Sequence, residues 1–177
     1  LAGAAGMAEA AARSGRAAMI DFNFTEILEW RRAKDLVDQG GIGALRHAVV
    51  TWNVETYTTR MGLLGWKSGA DAGGGALGNF VSHCLHYLEW LCGPISGLSA
   101  RLSGLGDARA PETTAFLSIG FASGAEAALA MSSASYLGSG HRLELYGENG
   151  TLVLHNPGAD YMRGFTLGYA RRPAGAL

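Results

Sequence analysis

The chain has few charged residues and almost no net charge. Asp, Glu, Lys and Arg make up 16% of its 177 residues, and the formal net charge at pH 7 is −1. Nucleic acids and anionic lipid surfaces are bound by clustered lysines and arginines, of which this chain has no excess. The composition therefore argues against both partners and indicates a globular protein with about one core.

Cysteine is scarce, and no apolar run is long enough for a membrane span. Cys84 and Cys92 are eight positions apart on one expected helix. That spacing is about 12 Å, beyond the roughly 7 Å that a disulfide bridges, so we expect two free thiols. The alanine-rich opening carries Glu9, Arg13 and Arg16, which argues against a membrane span or a signal peptide. The expected location is the cytoplasm.

The order of predicted elements indicates an α+β fold. Three helices are expected, at 7–14, 26–39 (with Thr25 as N-cap) and 77–91. Strands are expected at 17–24, 45–57, 95–102, 113–121, 125–133, 142–146, 151–155 and 165–170. This order predicts a mostly antiparallel open sheet with helices on one face. The first helix and strand fit that scheme poorly and look like the end of a different α/β unit.

The helix predicted at 77–91 has an unusual polar face. At about 100° per residue, one side collects the apolar residues Leu77, Val81, Cys84, Leu85, Leu88 and Leu91. The other side carries Asn79, His83, His86 and Trp90. Because a solvated face usually carries Lys and Glu, this set indicates a site for chemistry. The ordinary alternative for either imidazole is a core histidine bound to the backbone.

Three glycines before this helix match the spacing of a dinucleotide fingerprint. Gly73, Gly75 and Gly78 satisfy G-x-G-x-x-G. The fingerprint also needs a preceding strand and an acid about 20 positions further on. Here a loop precedes the glycines, Glu89 comes too early and Asp107 too late. We interpret the glycines as a loop that allows close packing, or whose N–H groups accept an anion.

His83 and His86 are close enough in sequence to bind one metal ion. A third ligand would have to be Asn79, His47 or Asp71. The motifs His-x-x-x-His and His-Glu-x-x-His are both absent. A metal-dependent hydrolase or lyase is therefore the weaker hypothesis, and we expect no metal.

The segment 66–93 contains an ordered motif. Trp66 is followed by Gly73-Gly74-Gly75-Ala76-Leu77-Gly78-Asn79, then by His83, His86, Leu91 and Gly93. The motif resembles that of the Gfo/Idh/MocA oxidoreductases, where Trp, three glycines, Leu, Asp, His and a second Asp follow in this order. The segments 20–24, 34–43 and 141–153 also resemble their counterparts in that family, so the resemblance covers most of the chain.

The resemblance implies a two-domain enzyme, of which this chain is a fragment. A Rossmann domain would hold NAD or NADP, and a C-terminal α/β domain would bind substrate and form the oligomer. Residues 1–24 would then be the remnant of the Rossmann domain, and 25–177 the C-terminal domain, with a tail continuing beyond Leu177. The fragment alone is expected to be inactive.

The resemblance also assigns roles to the polar face. His83 would exchange a proton with a substrate hydroxyl while hydride moves to or from the nicotinamide. Asn79 stands where the family has its first aspartate, so it would orient a hydroxyl or the nicotinamide amide but could not be a general base. His86, in place of the second aspartate, would position substrate with Trp66 and Lys67.

The expected function is NAD(P)-dependent oxidation or reduction at a sugar- or polyol-like hydroxyl. We expect a homodimer or homotetramer formed through the open sheet face. The alternative is a non-catalytic ligand-sensing or assembly protein with the same fold.

Overall fold

A computed structural model describes residues 2–63, 65, 67, 69, 73–105, 111–158 and 160–177. The α-helices within these residues are α1 Ala2–Ser14, α2 Leu28–Asp38, α3 Tyr57–Met61 and α4 Ser82–Cys92. A 3₁₀ turn covers Asn23–Glu26, and a π-helical turn, Leu77–Val81, leads directly into α4. The strands are β1 Leu45–Asn53, β2 Ile95–Ser103, β3 Thr114–Phe121, β4 Glu126–Ser132, β5 Gly140–Gly147, β6 Gly150–Asn156 and β7 Thr166–Arg171.

These strands form one open sheet in the order β2-β3-β4-β1-β5-β6-β7. The pair β1–β4 is parallel, and the other neighbouring pairs are antiparallel. The sheet confirms the predicted α+β fold. The sequence alone could not predict the strand order, because β1 lies between two hairpins, β3–β4 and β5–β6, that are distant from it in sequence.

One face of the sheet is buried and the other is open. Along β3, Ala115, Leu117 and Ile119 are buried, whereas Phe116 and Ser118 between them are exposed. The buried side packs with the apolar residues of α2 and α4 into a single core. The helices therefore cover one face of the sheet, and the alternation of buried and exposed residues along the strands follows from this, as the period-2 pattern predicts.

The strand predicted at 17–24 is wrong. Residues 17–22 form no strand, and Met19 and Ile20 are 93% and 76% exposed. A strand persists only where a neighbour pairs with its N–H and C=O groups, and the described residues provide none for this segment. Phe24 is buried, but in the 3₁₀ turn.

The start of α2 and the end of β1 also differ from the predictions. The 3₁₀ turn occupies Thr25, whose hydroxyl donates to the Phe22 carbonyl, so α2 begins only after Ile27. β1 ends at Asn53 because Thr56 caps the short helix α3 by accepting from the Thr59 N–H.

The predicted end of α4 and the two free thiols are confirmed. The helix ends at Gly93, whose φ of 90° favours glycine, directly before Pro94. Cys84 and Cys92 form no disulfide. Within the described part of the chain, no helix is both long and apolar enough to cross a membrane.

Candidate active site

The helical segment 77–92 keeps most of its predicted faces. Val81, Cys84, Leu88 and Leu91 are buried, as expected. Leu77 is 41% exposed, in contrast to the prediction, because it lies in the π-helical turn, where the 100° spacing does not apply. Tyr87, at the border of the predicted apolar face, is fully buried.

The backbone N–H groups of the glycine loop already have protein partners. Gly74 and Gly75 donate to the carbonyls of Gly69 and Lys67, at 3.0 and 2.9 Å. The next two N–H groups, of Ala76 and Leu77, donate to Glu112: one to its carbonyl oxygen and one to its Oε1, each at 2.8 Å. A carboxylate of the protein itself therefore takes the place at this helix start that a phosphate would need.

Gly78 is required by close packing, and Gly75 by its backbone conformation beside the Glu112 side chain. A Cβ at Gly78 would lie 2.1 Å from the Gly73 carbonyl oxygen. A Cβ at Gly75, where φ is 99°, would lie 2.7 Å from Oε1 of Glu112. These contacts support the packing interpretation of the loop and give no support to the anion alternative.

Asn79 ties the glycine loop to the helix. Its Nδ2 donates to the carbonyls of Lys67 and Gly75, both at 2.9 Å. A carboxylate could only accept hydrogen bonds, so an aspartate here could not make these two contacts. The contacts give a structural reason for the asparagine, and they place the Lys67 backbone in the same network. Trp66 lies outside the described residues.

His83 is half-buried against two phenyl rings. The ring centroids of Phe22 and Phe24 lie 5.3 and 5.8 Å from its imidazole, both edge-to-face. Burial lowers the pKa of His83, and His86 lowers it further, while the charge of Asp21 opposes the shift. The shift favours the neutral imidazole, which can accept a proton.

His86 lies on the other side of Phe22. Its ring stacks on that phenyl at 4.4 Å, with 15° between the planes. Among the described residues, no three His, Cys, Asp or Glu side chains are grouped to hold a metal ion. His47 is on the open face of the sheet, stacked on Tyr146, and Asp71 lies outside the described residues.

Trp90, the last residue of the predicted polar face, is not part of this group. Lys34 Nζ, on α2, lies 6.0 Å from the centroid of its ring. Trp90 thus contributes to the packing of α4 against α2, and the candidate site is restricted to the part of the helical segment that ends at His86.

A buried histidine whose ring packs on Phe24, as that of His83 does, was missed by the sequence reasoning. His141 on β5 is 2% exposed, stacks on Trp52 at 4.1 Å, and lies 3.0 Å from the Tyr87 hydroxyl through its Nε2. Burial lowers the pKa of His141 to about 3. The sequence signal that could have found it is the alternation along β5. His141 lies two residues before Leu143 and four before Leu145, so all three point to the same, buried face of the sheet.

The sequence and the fold identify the family. Residues 30–153 match the family model described as GFO/IDH/MocA C-terminal domain. The chain belongs to the Gfo/Idh/MocA family. It is also 34% identical over 160 residues to the uncharacterized oxidoreductase sll0816 of Synechocystis sp., a match that covers 83% of this chain and 43% of that protein.

Solved structures of the same architecture superimpose on this chain. The WlbA dehydrogenase of Bordetella pertussis, in complex with NADH and UDP-GlcNAcA, has a TM-score of 0.77 at 19% identity, covering 92% of this chain and 51% of that one. An NAD binding oxidoreductase of Klebsiella pneumoniae has a TM-score of 0.73 at 25% identity, with 94% and 50% covered. The chain spans about half the length of these relatives.

Proposed function

We propose that this chain is the substrate-binding and oligomerisation part of an NAD(P)-dependent oxidoreductase that acts on a sugar- or polyol-like hydroxyl. Membership of the family supports the reaction class, and the sugar nucleotide bound by the Bordetella enzyme supports the substrate class. Residues 1–24 would belong to the nucleotide-binding domain and 25–177 to the substrate domain. The fragment alone would then lack turnover.

We expect this chain to contact the nicotinamide end of the cofactor. The four consecutive N–H groups of residues 74–77 are used internally, so the phosphates of the dinucleotide would be held by another part of the enzyme. Hydride transfer at the nicotinamide requires a proton carrier beside the substrate hydroxyl that reacts. The half-buried imidazole of His83, whose lowered pKa favours the neutral form, suits that role. When bound, the nicotinamide supplies the hydride acceptor or donor.

His83 carries the proposal. Because its Nδ1 is buried, we assign proton exchange with the substrate hydroxyl to Nε2. His86 would position the substrate together with Trp66 and Lys67. Both hydrogens of the Asn79 amide are engaged by carbonyls, so its contact with a hydroxyl or the nicotinamide amide would be made through Oδ1.

The test is turnover of the full-length protein with NAD and NADP against a panel of sugars and polyols. The change of His83 to Ala should lower kcat/KM about 10²–10⁴-fold, the usual contribution of general acid–base catalysis. The matched control is His155→Ala, which removes a histidine from β6 on the other face of the sheet. Normal turnover in His83→Ala would exclude His83 as the proton carrier.

Nucleotide binding separates the enzyme from the non-catalytic alternative. Isothermal titration of the full-length protein with NADH and NADPH should show binding of at least one. If neither nucleotide binds, the oxidoreductase proposal fails and a ligand-sensing or assembly role replaces it.

We also propose that the open face of the sheet joins copies of the protein into a dimer or tetramer. It has a shallow depression of about 500 Å³ lined mostly by small and apolar residues of β1 to β4, with Arg101 among them. Phe116, one of the lining residues, is 52% exposed. Such an apolar face usually has a partner. Sedimentation velocity that returned a monomer would remove this proposal.

The free thiols favour a cytoplasmic location.

A further inference from the structure

The side chain of Phe22 contacts both histidines of the candidate site. Its ring centroid lies 5.3 Å from that of His83, with 85° between the planes, and 4.4 Å from that of His86, with 15° between the planes. The two histidines are three positions apart on α4, so they are neighbours on one face of the helix. One phenyl ring from another segment therefore touches both side chains.

The backbone holds Phe22 in this place. Its N–H donates to the Ile20 carbonyl at 3.0 Å, and its own carbonyl accepts from the Thr25 hydroxyl at 3.2 Å. Two residues further on, Phe24 is buried in the 3₁₀ turn. Because the chain enters the core directly after Phe22, its ring has little freedom to leave the two imidazoles.

Phe22 differs from Phe24 in what its ring contacts. The Phe24 ring belongs to the hydrophobic core and lies 5.1 and 5.4 Å from the rings of Trp30 and Trp52. Phe22 is not among the described residues that form or border that core. Residues 12–21 before it are exposed, whereas Phe22 is half-buried. The packing of Phe22 on the histidines therefore belongs to the candidate site and not to the core.

The contact also bears on the electrostatics of His83. Burial is the largest cause that lowers its pKa; the charge of Asp21 raises it, and that of His86 lowers it. His141, on β5, is the further titratable group that interacts with His83. A phenyl ring has no charge and no hydrogen-bonding group, so Phe22 acts on this pKa by excluding water.

We propose that Phe22 is a positioning residue of the active site, whose ring fixes the orientation of the His83 and His86 imidazoles and excludes water from one side of His83. Its role in catalysis rests on the proposed function, in which His83 carries a proton and His86 positions the substrate. The contacts between the rings do not depend on that function.

The orientation of an imidazole needs such support. The χ2 torsion of histidine is broad, so packing and not torsional preference decides where the ring nitrogens point. A reacting group that is misplaced by about 1 Å can lose about 100-fold in rate. Loss of the Phe22 ring should therefore lower kcat through His83 and raise KM through His86.

The test uses the full-length protein and the variant Phe22→Ala. The pKa of each histidine is read from the NMR signals of its ring C–H groups, and kcat and KM are measured from pH 5 to 9. Because water then reaches one side of His83, its pKa should rise towards 6.5 by about 0.3–1 pH unit. The acid limb of kcat/KM should move with it, kcat should fall about tenfold, and KM should rise.

Two further variants separate the ring from its bulk. Phe22→Leu keeps an apolar side chain of similar size, so the pKa of His83 should stay low while the stacking on His86 is lost. KM should then rise with a smaller fall in kcat than in Phe22→Ala. Phe22→Tyr keeps the ring and should restore most of kcat, KM and the His83 pKa. If Phe22→Ala does not fold, the titration of His86 in Phe22→Leu still tests the stacking.

Unchanged kcat, KM and pKa of His83 in folded Phe22→Ala would overturn the inference. A lower thermal stability alone would also overturn it, because Phe22 would then be only a packing residue. A loss of activity that Phe22→Tyr does not restore would count against the ring. If the wild type shows no nucleotide-dependent turnover but the His83 pKa shifts in Phe22→Ala, the proposed function fails and the positioning of His83 by Phe22 stands.

Discussion

The beginning and the middle of the helical segment 77–92 are held in different ways. Its beginning is less buried and is fixed by hydrogen bonds of backbone N–H groups, the Glu112 carboxylate and the Asn79 amide. Its middle is fixed by rings: Phe24, Trp30 and His141 surround Tyr87 within 4.6–5.7 Å. His83 lies where the two meet. The comparison shows that the glycine and asparagine motif builds the loop, while aromatic packing places the proposed proton carrier.

The largest effect is expected when a methyl group is forced into the loop. Gly78→Ala would bring Cβ to 2.1 Å from the Gly73 carbonyl, so the loop must move. Overpacking of this kind costs about 3 kcal/mol, partly offset by the roughly 1 kcal/mol better helix propensity of alanine. We expect a net loss of about 2 kcal/mol or more in denaturant unfolding of the full-length protein.

Gly73→Ala is the matched control for that change. Its φ of 76° gives a left-handed cost of about 1–2 kcal/mol, but nothing lies within 4 Å of the added Cβ. Equal losses for the two variants would show that backbone conformation, and not the close contact with Gly78, governs the loop.

Acid should lower the stability of the protein through protonation of His141 in its aromatic surroundings. The pKa of His141 is about 3 in the folded chain and 6.5 as an unperturbed side chain. Between these two pKa values the unfolded state binds one more proton than the folded state. The free energy of unfolding therefore decreases as the pH is lowered below 6.5, by up to about 1.4 kcal/mol per pH unit. His141→Phe should lack this part of the slope. Parallel stability curves for both proteins from pH 7 to 5 would contradict the account.

The smallest effect is expected at Asn79. Asn79→Asp replaces a donor by an acceptor facing two carbonyl oxygens, with a loss of about 1–2 kcal/mol in stability. Asn79→Ala, which removes the bonds without adding repulsion, should lose less. If Asn79→Asp proves as stable as the wild type, the amide contacts do not hold the loop.

Local signals predict much of the fold. Alternation of apolar residues finds β3 and β4, and the Gly93-Pro94 pair finds the end of α4, because each depends on neighbours in sequence. The failure at 17–24 has a different cause. A run of apolar residues cannot show whether another strand will pair with it, and the described residues contain no such strand.

The candidate site is predictable only in part. The helix period brings His83 and His86 towards one side, but Phe22 between them comes from a segment expected to be a strand. Glu112 contacts the helix start from 35 positions away, and His141 contacts Tyr87 from 54 positions away. Contacts across such distances depend on the strand order, which a single sequence does not specify.

The central claim is that His83 carries the substrate proton. It is tested most directly by single-turnover hydride transfer in the full-length wild type and His83→Ala, at saturating cofactor and substrate, from pH 5 to 9. The account predicts a wild-type oxidation rate that falls in acid with a pKa below 6.5, and a variant about 10²–10⁴-fold slower at pH 7 that lacks this ionisation. A variant that keeps the wild-type rate and pH profile would contradict it.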